Sequence, residues 1–153
     1  MSIVEGHRFE PMIGDPDDHR PRSEWSLVVD PGDDGSGTPV DDLAVVLEHI
    51  GPGDGIPLHV HRVNEVIFVH GDGTYRLGTS AGRCGDGSVL FVPAGTPHAI
   101  GNDGATPLPI EAVFPATRVW LRYLERNPAP GTEANGPGNA LTLDFRTGEV
   151  TSD

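Results

Sequence analysis

The sequence predicts an all-β, single-domain protein of the double-sheet jelly-roll type, closing into a small barrel. Three observations carry that expectation. The chain holds 21 Gly and 15 Pro among 153 residues, spread along its length without a period, which suits many short strands joined by turns and opposes a helical bundle. Its apolar runs are short and alternate with period two, as in Thr117–Leu124, where Val119, Leu121 and Tyr123 alternate with Arg118, Trp120 and Arg122. Roughly eight or nine such runs follow one another with turn signals between them, the pattern of a jelly roll. The length fits one domain with a real core.

Residues 1–24, rich in Asp, Arg and Pro, read as an N-terminal arm, with His7 and His19 as surface histidines. The barrel is expected over residues 25–126. Trp25–Asp30 is its first strand, and Pro31–Asp42 is an exposed Gly/Asp loop. Leu43–Ile50 is the next strand. Leu43, Val45, Leu47 and His49 share one face, while Ala44, Val46, Glu48 and Ile50 share the other, and both faces are largely apolar. His49 reads as a partly buried structural histidine. Gly51–Pro57 is a loop that delivers His59. In Glu65–Val69, an inward Glu65 carries Ile67 and Val69 with it and turns Phe68 and His70 away. His70–Gly73 reads as a hairpin turn, Thr74–Leu77 as the returning strand, and Gly82–Asp86 as a further turn. Ser88–Val92, His98–Asn102, Pro109–Phe114 and Thr117–Leu124 complete the barrel. Residues 127–153 form a C-terminal linker, mobile over Asn127–Gly138, followed by an added edge strand at Ala140–Phe145, on a partner subunit or on this one, and frayed last residues.

Composition removes several function classes. The formal net charge is −13, and such a surface repels phosphate backbones, so nucleic acid is not expected as a partner. The ten basic residues are all Arg, which excludes Schiff-base and pyridoxal-phosphate chemistry through a lysine. Phosphate loops, dinucleotide fingerprints and a Ser-His-Asp arrangement are lacking, so no organic cofactor is expected. Cys84 is the single cysteine and forms no intrachain disulfide. No apolar run long enough for a membrane span and no secretory signal is visible, so the expectation is a cytoplasmic protein.

The chemistry concentrates in two stretches. In Gly53–Glu65, His59 and His61 lie two apart and share one face of a strand, and Glu65 would share it if the strand ran on unbroken. In Gly87–Asn102, Pro93 and Gly95 turn the chain and His98 opens a new strand. Three imidazoles and one carboxylate form a metal-binding set, and neutral imidazole is available at physiological pH.

These stretches resemble the paired motifs of the cupin superfamily. The first motif, G-x5-H-x-H-x3,4-E-x6-G, is matched by Gly53, His59, His61 and Glu65; its closing glycine departs, with Gly71 one residue early and Gly73 one late. The second, G-x5-P-x-G-x2-H-x3-N, is matched by Gly87, Pro93, Gly95, His98 and Asn102. The resemblance implies a cupin-type double-stranded β-helix with one divalent transition metal per chain, held by His59, His61, Glu65 and His98. Fe(II), Mn(II), Ni(II), Co(II), Cu(II) and Zn(II) all suit such ligands. It implies a homodimer, with the arm and Ala140–Phe145 as contacts, and a small-molecule substrate. The leading expectation is a non-haem dioxygenase acting on a small organic compound. The alternatives are a lyase or isomerase using Lewis-acid stabilisation of an enolate, and a non-catalytic barrel binding a small acid or sugar. Glu65 and Tyr75 are the candidates for proton transfer. Arg76 is the candidate partner of a substrate carboxylate. Val45, Leu47, Ile67, Phe91, Ile100 and Phe114 are the candidates for pocket lining.

Overall fold

A computed structural model describes residues 2–32 and 38–153; residues 33–37 of the expected Pro31–Asp42 loop lie outside the described residues. Short alternating runs sort the chain into two antiparallel sheets. The strands are β1 (Glu10–Met12), β2 (Arg20–Val29), β3 (Ala44–Ile50), β4 (Gly55–His61), β5 (Glu65–Val69), β6 (Gly73–Leu77), β7 (Ser80–Cys84), β8 (Val89–Val92), β9 (His98–Gly101), β10 (Leu108–Phe114), β11 (Arg118–Tyr123), β12 (Leu141–Asp144) and β13 (Val150–Ser152). One sheet runs β1-β2-β3-β10-β5-β8 and the other β13-β12-β11-β4-β9-β6-β7. This is the all-β cupin jelly roll that the sequence predicts.

Register decides which side chains face the space between the sheets. Leu27, Val46, Ala112, Ile67 and Leu90 stand opposite one another across five strands and form one inward row. Trp25, Glu48, Ile110 and Val69 form the next. The row between them holds Leu47, Glu111, Phe68 and Val89, and the row on the far side of the first holds Val28, Val45, Val113, Val66 and Phe91; by alternation both point away from the space between the sheets. Ile50, Ile67, Val69, Leu108 and Ile110 are fully buried, and each such side chain contributes about 1.5–3 kcal/mol.

Two expectations about turns are corrected. His70–Gly73 is not a hairpin turn, because β5 belongs to the six-stranded sheet and β6 to the seven-stranded one, so these residues carry the chain from one sheet to the other. The hairpin partner of β6 is β7, which absorbs most of the expected Gly82–Asp86 turn and buries Cys84 at its end. Gly73 is the glycine that space demands there, since a Cβ would stand 2.6 Å from Leu108 Cδ2.

Both ends of the chain are more ordered in the fold than their composition predicts. Within residues 1–24, β1 pairs with β2, and β2 itself starts at Arg20. The Ala140–Phe145 segment supplies β12, which pairs with β11 and β13 of its own chain, so the last residues form a strand rather than a frayed end. The loop after Asn127 is tied down by Arg126, which donates to the carbonyls of Thr132, Asn135 and Pro16 and pairs with Asp17.

Candidate metal centre and its cavity

His59 and His61 sit on β4, where a bulge between Ile56 and His59 breaks the register. Pro57, which has no N–H to give to a ladder, lies inside that bulge. The extra residue lets Ile56, His59 and His61 line one cavity. The strand then ends. Glu65 does not share its face by continuation; the chain crosses to the facing sheet, and Glu65 opens β5 there, opposite Val92. His98 enters from β9, directly across from His59. The turn before it uses Gly95 at φ 79°, a conformation that favours glycine, and its N–H donates to the His61 carbonyl, which fixes His98 beside the β4 pair. Asn102 donates to the carbonyls of Ile50 and Thr106 and closes the loop beyond β9.

Ring orientation follows from backbone acceptors. The Nδ1 atoms of His59, His61 and His98 lie 2.9, 2.7 and 2.9 Å from the carbonyl oxygens of Pro57, Val63 and Thr96. A carbonyl only accepts, so each Nδ1 carries the proton and each neutral ring presents its Nε2 lone pair. Those rings converge: one ligand atom from each histidine lies within 4.8 Å of the others. Glu65 Oε2 is 3.0 Å from His61 Nε2 and 2.9 Å from His98 Nε2, and His98 Nε2 has no aligned hydrogen bond. Electron-rich atoms buried this close need a shared cation. His59, His61 and His98 are therefore placed to hold a metal ion. Burial and the neighbouring His98 push His59 down to about 3, so it stays a neutral donor.

The four groups line one end of a cavity of about 540 Å³ between the sheets. Its wall is mainly apolar and includes Ile67, Ile100, Phe114 and Leu143. Of the expected lining residues, Ile67, Ile100 and Phe114 are there. Val45, Leu47 and Phe91 are not: they stand in the outward rows of the six-stranded sheet, and Phe91 is 70% exposed. The inward members of β3 are Val46 and Glu48. Arg76 also faces out and pairs with Glu125 at 2.7 Å, away from the cavity. Tyr75 lies two strands from β4, packs against Gly82, and is absent from the cavity wall.

The phenol that does reach the cavity is Tyr123 on β11, opposite His59, with the two ring centroids 6.3 Å apart. Its hydroxyl lies 3.3 Å from Asp15 Oδ2 and 3.5 Å from Asp18 Oδ2. Beyond it the wall is built by the N-terminal segment. Arg20 is 2% exposed, and Asp18 and Glu48 are buried beside it. Arg20 Nη1 donates to Glu48 Oε2 at 2.9 Å and Nη2 to Asp18 Oδ2 at 2.9 Å. Burial lifts Asp18 to about 6 against the opposing pull of Arg20. Burial also raises the Tyr123 phenol well above its ordinary value, and the nearby Asp18 and Asp15 add to the shift. Sequence reasoning passed over these residues. Two signals were present: Glu48 is an acid on an otherwise apolar inward face, and Tyr123 continues the Val119, Leu121 alternation.

Comparison with known proteins agrees with this architecture. Residues 46–114 match the family model of the cupin domain. The polyketide cyclase RemF from Streptomyces resistomycificus superimposes with a TM-score of 0.64 at 18% identity, over 86% of this chain and 91% of that one. The DMSP lyase DddQ from Ruegeria pomeroyi DSS-3 gives 0.56 at 22% identity, over 85% of this chain and 64% of that one. Salicylate 1,2-dioxygenase from Pseudoaminobacter salicylatoxidans gives 0.53 at 16% identity, over 62% of this chain and 25% of that one. At these identities the likeness is one of fold. No curated protein matches the chain by sequence.

Proposed function

The chain belongs to the cupin superfamily, and from that premise we propose that it is a metal-dependent enzyme that moves a proton on a small, largely apolar carbonyl compound. The single observation behind this reading is the Tyr123 phenol beside His59, hydrogen-bonded toward Asp15 and Asp18 in the same cavity wall. An oxygenase needs no such proton route; a lyase, isomerase or cyclase does. A divalent ion held by His59, His61, His98 and Glu65 would supply Lewis acidity toward an enolate oxygen. Glu65, with its Oε2 3.0 and 2.9 Å from the Nε2 atoms of His61 and His98, is taken up by the ligand role. The proton-moving role expected of Glu65 and Tyr75 therefore passes to Tyr123. Its raised pKa keeps the phenol protonated, so that it yields its proton only to a strong base such as an enolate, while the apolar wall excludes water and orients the substrate.

A second reading, the dioxygenase, draws on the apolar lining by Ile67, Ile100 and Phe114 near the metal ligands, and among the proteins of similar fold is a salicylate dioxygenase. One experiment separates the two. The purified chain is assayed for bound metal, then loaded with Mn(II), Fe(II) or Zn(II) and mixed with phenylacetone in D2O. Metal-dependent deuterium incorporation, lost in His98→Ala and strongly reduced in Tyr123→Phe, is the expected result. Oxygen uptake without exchange moves the assignment to the dioxygenase. Binding with neither reaction reduces the protein to a binding barrel.

A further inference from the structure

The size, length and charge of the cavity together state what fills it. A dry apolar cavity of about 150 Å³ takes one benzene ring. This one measures about 540 Å³, space for about three rings by the same measure. Short side chains make that space: Val46 and Ala112 on the six-stranded sheet and Val119 on the seven-stranded one stand on the wall where Leu or Phe would fill it. The space is also long. Phe114 stands by the metal-directed donors, its ring centroid 5.5 Å from that of His61. Trp25 lines the same cavity from β2, two strands away, level with Glu48 and Ile110. Two strand spacings across and four residues along separate Phe114 from Trp25, roughly 17 Å between Cα atoms. Away from the donors, the wall holds nothing for an anion. Among the described residues it carries one arginine, Arg20, which pairs with Asp18 and Glu48. Glu10, Asp15 and Asp17 add further carboxylates, and Asp17 takes its partner, Arg126, from outside the wall.

We propose that the substrate is a flat, uncharged ketone of about three fused rings, with its carbonyl oxygen at the metal-directed donors and its far ring against Trp25. The proposal rests on the proton-transfer reading above and names its substrate class. A one-ring compound leaves most of the apolar wall without contacts, whereas a fused system covers it from Phe114 to Trp25. A carboxylate or phosphate on the far ring is rejected, because it would be buried among acids without a cation of its own.

The test titrates the full chain, metal-loaded and metal-stripped, with phenylacetone, α-tetralone and anthrone, ketones of one, two and three rings, by calorimetry. Each added ring is expected to tighten binding roughly tenfold. Ala112→Leu narrows the chamber and is expected to weaken anthrone roughly tenfold while phenylacetone binds as before. If that variant does not fold, Val119→Leu carries the same expectation from the opposite sheet. In Trp120→Phe the remaining tryptophan is Trp25, and anthrone is expected to quench its emission. Anthraquinone-2-carboxylate is expected to bind roughly tenfold weaker than anthraquinone. Equal affinity for phenylacetone and anthrone overturns the proposal. So does anthrone binding undiminished by the narrowing variant, Trp25 emission that anthrone leaves untouched, or a carboxylate bound as tightly as its parent. The ring ranking is expected without metal as well. A ranking that holds while metal brings no deuterium exchange sinks the proposed reaction and leaves the size and charge assignment standing.

Discussion

The four motif side chains and the Asp18–Arg20–Glu48 group are buried along the same cavity, yet they balance charge in opposite ways. At the motif end, three Nε2 lone pairs and a carboxylate face one another, and among the described residues no side-chain cation joins them. At the other end a guanidinium is built in, with carboxylates on two sides. The difference teaches what each cluster is for. A set of donors without its own cation is a place for an ion from outside. A set that contains its cation is already neutralised in large part and serves first to hold the N-terminal segment against the barrel.

The sharpest way to break this contrast is to remove a member from each side. Arg20→Met strands two buried carboxylates, and such a loss costs about 3–5 kcal/mol. His98→Ala in metal-free protein removes one donor from a mutually repelling set and costs clearly less. Urea unfolding of both variants reads the difference, and a reversed order would show that the ends have been assigned wrongly.

A smaller effect sharpens the picture through pH. Asp18 is raised from 3.8 to about 6, with burial as the main cause. In that window the folded chain keeps a proton that the unfolded chain releases. The group therefore favours folding below its unfolded pKa, and this contribution is lost as pH rises through the folded value. The stability of the wild type relative to Asp18→Asn is expected to fall by about 2 kcal/mol from pH 4 to pH 6, measured by urea titration at each pH. A flat difference, or one that rises, contradicts the buried placement of this carboxyl.

The smallest effects belong to the outer surface. Arg76→Ala and Phe91→Thr are expected to leave metal stoichiometry and probe affinity unchanged, because both side chains lie outside the cavity wall. Lost binding in either variant, seen by calorimetry, would mean that the inner and outer faces of the sheets had been exchanged.

How far the site could be read from the chain differs between its ends for the same reason. His59, His61 and Glu65 lie within seven residues, and His98 follows the Pro93–Gly95 turn, so local spacing reports their convergence. Strand positions are likewise local: Glu65–Val69 has the same bounds in the sequence reading and in the fold. Facing was less legible. β3 is apolar on both sides, so alternation alone assigned Val45 and Leu47 inward, and only the register with β10 and β2 turned Val46 and Glu48 to the cavity. Arg20 had no local signal at all. Its Asp- and Pro-rich surroundings resemble an exposed arm, and it is buried because Glu48, 28 residues away, meets it on the neighbouring strand.

The sequence by itself determined the all-β class, the two motifs and the identity of the metal-directed donors, because turns, alternation and ligand spacing act over a few residues. Which faces close on the cavity, which tyrosine reaches it and where a buried arginine is neutralised were decided only by tertiary structure. Those depend on register between strands far apart in the chain, and a shift of one residue would point every side chain the other way.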